Sequence, residues 1–165
     1  METVLKVLHV VAAVFIVGPM AILPMTGLRA IRAGEGGQVA TLAKSARVFT
    51  LLSLVVVFFG FGVMGMAEKK DNLSFATPWI LISIILYVIA LVISLTLVVP
   101  GLRAAAERLQ VTAAAATTGG AGAPGDAAAD LASREQGKEY GRIAAGSGLV
   151  TLLLLVVVIL MVWRP

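Results

Sequence analysis

One histidine and three methionines are the residues of this chain whose types and positions could support chemistry. His9 is the only histidine, and it lies in the first apolar stretch, residues 5–25. An ionisable residue inside a membrane span suggests a functional role, because placing a charged or polar side chain in lipid costs free energy. Three methionines are expected at the same membrane face as His9, so together they could form a soft site for haem iron or Cu(I); they are Met64, Met66 and Met161.

Each of these side chains also has an ordinary structural interpretation. A neutral imidazole near the membrane interface can donate a hydrogen bond to a hydroxyl or a backbone carbonyl of a neighbouring helix. Methionine is a common filler of apolar interiors. We favour the structural interpretation, and the alternative is a haem b or copper site with His9, Met161 and Met64 as ligands.

Other common kinds of site are missing from the sequence. The chain has no cysteine, which excludes disulfides, zinc–thiolate sites and iron–sulfur clusters supplied by its own residues. No carboxylate lies inside an apolar stretch, and there is neither a glycine-rich phosphate loop nor a hydrolase order of serine, histidine and acid. These features indicate a protein that is not an enzyme.

The elements that would position these residues are membrane helices. With 59% hydrophobic and 13% charged residues, the chain is far more apolar than a soluble domain, in which about a quarter of the residues are charged. Four apolar stretches are long enough to cross a hydrocarbon core of about 30 Å. The sequence therefore predicts an all-α polytopic membrane protein, one bundle of four transmembrane helices over residues 1–165, with spans at about 4–25, 48–67, 78–99 and 144–163.

The basic residues predict the orientation of the bundle. Nine of the thirteen Lys and Arg residues fall between the first and second spans or between the third and fourth. By the positive-inside rule, both termini then face outside. Trp79 and Trp163 would share the outer interface, where aromatic belts form. We interpret the net charge of +4 as part of this topology signal, and we do not expect the basic residues to form a nucleic-acid-binding surface.

The segments between the spans are predicted to be solvated. Residues 27–47 are interpreted as a short basic loop, and residues 102–111 as a short cytoplasmic helical extension of the third span. Residues 112–130 are rich in alanine and glycine and read as a flexible linker.

Three patterns concern helix packing. Pro19 and Pro24 predict a kink or a loosened helix in the second half of the first span. Small residues at a spacing of four predict a tight helix contact at the start of the fourth span; they are Gly137, Gly141 and Ala145, with Ala144 and Gly148.

The repeated sequences GLRA (27–30 and 101–104) and TLL-x-LVVV (50–57 and 151–158) raise the hypothesis of two duplicated hairpins.

The chain also resembles a known family. The segments LKVLH at the start, LRAIRAG, PWILISIILY and the closing LMVWRP are similar to a family of small bacterial integral membrane proteins, domain of unknown function 2269. The resemblance covers most of the chain outside the linker, and it implies architecture and a bacterial inner membrane but no reaction.

The segment KVLHVVA, residues 6–12, is also similar to the first helix of haem-binding protoporphyrinogen oxidases and of copper-resistance membrane proteins. That resemblance implies a ligand role for His9. The oxidases pair this histidine with a lysine in a later helix, and the later spans of this chain contain neither a lysine nor a second histidine.

From the sequence we expect a non-enzymatic membrane subunit or oligomeric scaffold in a lipid bilayer, forming a homo-oligomer or part of a larger membrane complex. The alternative is a haem-binding oxidoreductase or a copper-handling protein.

Overall fold

The computed structural model describes the backbone of residues 2–71, 77–117 and 126–163, and the side chains of residues 3–66, 77–117 and 134–163. Nearly all of the described backbone is helical. The elements in chain order are α1 (Glu2–Ala12), a π-helical segment (Ala13–Val17), α2 (Gly18–Arg32), α3 (Gly36–Asp71), α4 (Pro78–Ile93), a second π-helical segment (Ser94–Val98), α5 (Val99–Thr117) and α6 (Asp126–Trp163).

Four helical stretches are long and apolar enough to cross a membrane: Thr3–Arg32, Gly36–Met66, Pro78–Thr117 and Arg134–Trp163. The predicted all-α fold with four transmembrane helices is therefore confirmed. Each stretch is longer than the predicted span, because the helices continue from the apolar core into the polar segments on the basic side.

Pro19 of the first span follows a π-helical turn, whereas Pro24 lies inside regular α-helix. The π-helical segment Ala13–Val17 comes directly before Gly18 and Pro19, and α2 then runs without interruption through Pro24. A proline lacks the N–H that an α-helix needs, and a wider π turn just ahead of it relieves the local strain. The second π-helical segment ends two residues before Pro100, which has the same need.

The basic segment 27–47 is not a solvated loop, and this prediction is wrong. α2 continues to Arg32, and α3 begins at Gly36, so only three residues join them. The helix end is closed by Gly34 at φ 73°, whose N–H donates to the Ile31 carbonyl at 3.1 Å, while the Glu35 N–H donates to the Ala30 carbonyl at 3.0 Å. This pair of bonds is the Schellman arrangement that ends many helices.

The first turns of α3 are part of the interior. Val39, Ala43 and Ala46 lie on one face of the helix and are between 0% and 2% exposed. Their spacing of four and three residues is that of one helical face. Hydropathy does not reveal this stripe, because two of its three residues are alanines set among charged residues.

The predicted linker is shorter than residues 112–130. α5 continues to Thr117 and α6 starts at Asp126, so both ends of the predicted linker are helical. Alanine, which dominates both ends, has the highest intrinsic helix propensity. Residues 118–125 lie outside the described residues, and the flexibility of that part stays a prediction.

Each pair of neighbouring spans runs antiparallel. α1 and α2 pack along α3, and α3 packs along α5; α6 packs against α4 at one end of the bundle and against α2 at the other. Many of the buried side chains lie toward the basic end, where α2, α3, α5 and α6 meet; examples are Leu28, Val39, Leu102 and Ile143. At the other end, α1 and α3 form one pair, α4 and α6 form a second, and contacts between the two pairs are few.

The small residues of α6 make a tight contact in a register different from the predicted one. Gly141 and Ala145 are exposed, and a side chain at Gly137 would meet nothing. The close approach is instead at Gly146, where a side chain would overlap Leu97 of the second π-helical segment. The spacing of small residues indicated a contact on this helix, but it did not show which face points inward.

Both copies of the GLRA sequence lie at helix contacts near the basic end. A β-carbon at Gly27 would lie 2.8 Å from Leu102, so α2 and α5 approach closely at the two copies. Leu28 and Leu102 are buried, whereas Arg29 and Arg103 are exposed. The two copies thus have similar environments, and the duplication of a hairpin stays a hypothesis.

Candidate functional site

His9 lies at the contact between α1 and α3. Its ring Nδ1 is 2.9 Å from the backbone carbonyl oxygen of Val56. Because a carbonyl oxygen can only accept a hydrogen bond, Nδ1 carries the proton and donates it across the helix pair. The imidazole is half-buried, so this bond also satisfies a polar group that would otherwise face an apolar environment.

Gly60 makes room for the imidazole. It lies one turn after Val56 on α3, and a β-carbon at this position would be only 3.0 Å from Cε1 of His9. One turn before His9, Leu5 approaches Gly62 in a similar way, at 3.6 Å from the place of the missing β-carbon. These two glycines therefore let α1 lie close to α3.

The structure brings His9 and Met64 to the same pair of helices. Met64 is 8% exposed and lies one turn after Gly60, on the face of α3 that contains Val56. Met66, two residues further on, is 39% exposed. Of the predicted ligands on α3, Met64 is thus the one placed on the His9 side.

Met161 is placed apart from this pair. It is 36% exposed and lies near the end of α6, which packs against α4 at that level of the bundle. His9 and Met161 are therefore at the same end of the molecule but on different helix pairs.

The described residues hold no group of three or more His, Cys, Asp or Glu side chains that could bind a metal ion. On the pair of α1 and α3, the soft donors are the imidazole of His9 and the thioether of Met64, which is buried. This pair is a possible ligand set for Cu(I), or for an iron held in a porphyrin.

A second polar feature links α3 to the third span. The hydroxyl groups of Thr50 and Ser94 are 2.9 Å apart, and both residues are buried. Ser53 donates to the Thr50 carbonyl at 2.6 Å, and its oxygen lies 2.7 Å from the Tyr87 hydroxyl. Since a serine has a single O–H to donate, Tyr87 donates to Ser53.

A third bond joins the fourth span to the first. The single O–H of Thr151 on α6 is shared between the Ser147 carbonyl of its own helix, at 2.9 Å, and the Ala21 carbonyl of α2, at 3.2 Å. Among the described residues, no buried side-chain nitrogen or oxygen lacks a hydrogen-bond partner. The polar groups inside the bundle are therefore matched to one another or to backbone carbonyls.

The sequence pointed to His9, to the methionines and to Gly60 as a small residue that permits close helix approach, but it pointed neither to Val56 nor to the partners of the hydroxyl groups. Gly60 carried a signal, because a glycine within an apolar helix often marks a close approach of a neighbour. The pairing of Thr50 with Ser94 had no comparable signal in the sequence, since it depends on how two distant helices are rotated.

Comparison with known proteins agrees with this architecture. Residues 3–165 match the family model described as a predicted integral membrane protein (DUF2269). Because the match covers nearly the whole chain, the chain belongs to this family. No curated protein and no solved structure matches it.

Proposed function

We propose that this member of the DUF2269 family is a non-enzymatic subunit or oligomeric scaffold of a membrane assembly. The proposal rests on one observation: polar side chains within the spans form hydrogen bonds between helices. The hydroxyl groups of Thr50, Ser94 and Thr151 bond to neighbouring helices, as does the His9 ring. Groups that would otherwise be free to bind or transform a substrate are thus used to hold the helices together.

The first span offers a surface for assembly. α1 contacts α3 through one face, and its opposite face is apolar and exposed, with Val4 at 60% and Val10 at 59%. Phe58 on α3 is similarly 74% exposed. In a bilayer such faces contact either lipid or the helix of another chain.

We further propose that the assembly lies in a bacterial inner membrane with both termini outside. The support is the concentration of nine of the thirteen Lys and Arg residues at one end of the bundle. The residues Trp79 and Trp163 lie at the opposite end, as expected of an outer interface.

The alternative function is a ligand role for His9. The bond from the Nδ1 proton to the Val56 carbonyl is compatible with this role, and it fits a structural role for His9 equally well. This bond leaves the lone pair on Nε2, and metal-bound histidines commonly donate their other ring N–H to a carbonyl or carboxylate. Within one chain, Met64 would be the second ligand for haem b or copper. Met161 could act as a ligand only if the helices were arranged differently or if it came from a second subunit.

The two functions differ in what the purified protein contains. Protein isolated from its native membrane is expected to be colourless and to hold no stoichiometric copper, and His9→Gln is expected to leave both properties unchanged. Absorbance spectroscopy and elemental analysis measure them. A Soret band or one copper per chain that disappears in His9→Gln would overturn the non-enzymatic proposal in favour of the ligand role. Met64→Leu then tests the second ligand, with Met66→Leu as its matched control.

A further inference from the structure

A cleft of about 350 Å³ opens at the basic end of the bundle, between α2, α5 and α6. Its apolar wall is formed by Ile31, Leu109 and Ile143. The polar part of its lining includes Arg108 and Tyr140. The volume is at the lower end of the range for small-molecule sites in proteins, about 300–1,000 Å³.

One arginine, Arg108, lines this cleft, and a second, Arg32, lies beside it on the lining residue Tyr140. Arg108 on α5 forms an ion pair with Glu139 on α6, with 2.6 Å between Nη1 and Oε2. The side chain of Arg108 is nevertheless 48% exposed, so part of its guanidinium faces solvent. The guanidinium of Arg32 lies over the ring of Tyr140, at 4.9 Å from the ring centre. Arg32, Arg108 and Glu139 thus carry two positive charges and one negative charge; Glu107 and Glu135 border a second pocket that Arg108 also lines.

The cleft lies at the depth of lipid headgroups. Tyr140 is four residues before the predicted fourth span and Ile31 is six residues after the predicted first span, so at 1.5 Å per residue they lie about 6 and 9 Å outside the hydrocarbon core. Arg108 is nine residues past the third span, about 14 Å out, and its long side chain can reach back toward the membrane. The headgroup region extends about 5–8 Å beyond the hydrocarbon core on each side of a bilayer.

We propose that this cleft binds the phosphate of an anionic phospholipid. The planar guanidinium groups of Arg32 and Arg108 match the oxygens of a phosphate, and basic clefts between transmembrane helices are a recurring form of lipid site. Glu139 and Tyr140 hold the two guanidinium groups in place. Ile143, the lining residue next to the predicted fourth span, places apolar surface on the side where the acyl chains of the same lipid would lie.

Titration of lipid into the purified full-length chain tests this proposal. In nanodiscs of phosphatidylcholine, adding phosphatidylglycerol is expected to raise the midpoint of thermal unfolding by a few degrees, because a ligand that binds only the folded state stabilises it. The double variant with Arg32→Gln and Arg108→Gln is expected to lose most of this shift. Arg103→Gln, an exposed arginine of α5 that does not line the cleft, is the matched control and should keep it.

A second comparison separates a lipid site from a structural ion pair. Glu139→Gln breaks the same ion pair as Arg108→Gln but removes the negative charge, so the shift with phosphatidylglycerol should be kept or should increase. If the ion pair has only a structural role, Arg108→Gln and Glu139→Gln lower the midpoint alike and leave the lipid-dependent shift unchanged, which would overturn the proposal. An equal shift with inorganic phosphate, or with added phosphatidylcholine, would also overturn it.

Discussion

At the scale of single residues, the imidazole of His9 and the missing side chain of Gly60 fit one another. The ring takes the space that a β-carbon at Gly60 would enter, and its Nδ1 reaches the Val56 carbonyl. Hydrogen bonds between membrane helices are worth about 0.6 kcal/mol on average. The packing of the imidazole against Gly60 is therefore expected to contribute more to the stability of the contact between α1 and α3 than the hydrogen bond does.

Gly60→Leu tests this fit. The larger side chain cannot share the space with the imidazole, so we expect a loss of about 1–3 kcal/mol of stability, the usual range for overpacking. The measurement is unfolding in mixed micelles, with Gly65→Leu as the control on the same helix, because a side chain at Gly65 would meet nothing within 4 Å. Adding His9→Ala to Gly60→Leu should restore part of the loss. Equal effects of the Gly60 and Gly65 variants would contradict this interpretation.

The sequence could predict which residues carry ionisable or soft ligand atoms, but it could not predict their partners. His9 and Val56 are 47 positions apart, and their bond depends on the rotation of α1 and α3 about their axes. Hydropathy specifies neither rotation when most faces of a helix are apolar, as they are here. For the same reason, Met64 could not be separated from Met161 before the helix pairs were known.

At the scale of elements, hydrogen bonds between hydroxyl groups fix the third span against α3. Thr50 faces Ser94 at the first residue of the second π-helical segment. Hydropathy located the apolar cores of all four spans, because a membrane-spanning helix needs about 20 apolar residues. It could not locate the ends of α2 and α3, because buried alanines such as Ala43 contribute little to an apolar signal.

A double-mutant cycle measures the bond between Thr50 and Ser94. Thr50→Val and Ser94→Ala are each expected to cost about 1 kcal/mol or less, with a coupling of about 0.6 kcal/mol between them. Thr96→Val is the control, since that hydroxyl bonds to the Val92 carbonyl of its own helix at 2.7 Å. We expect no coupling between Thr50→Val and Thr96→Val in the same unfolding assay. Strictly additive losses for Thr50 and Ser94 would show that the two hydroxyl groups do not bond in the membrane.

At the scale of the whole molecule, charge predicts which end of the bundle faces the cytoplasm. The chain has no cysteine, so a single introduced cysteine reports its own side of the membrane. In intact cells, a membrane-impermeant maleimide is expected to label Thr77→Cys, at the tryptophan end. Ala33→Cys and Val111→Cys, at the basic end, should react only after permeabilisation. The reverse pattern would invert the orientation.

The mass of the particle that the chain forms in its own lipid tests the scaffold proposal most directly. One chain has a mass of 17.1 kDa. The protein can be extracted from its native membrane with a lipid-retaining polymer, and the mass of the particle can be measured by native mass spectrometry. We predict a particle that contains several copies of the chain, or one copy of another membrane protein at a fixed ratio. A monomer of 17.1 kDa with lipid alone, at native expression and without exposure to detergent, would contradict the proposal.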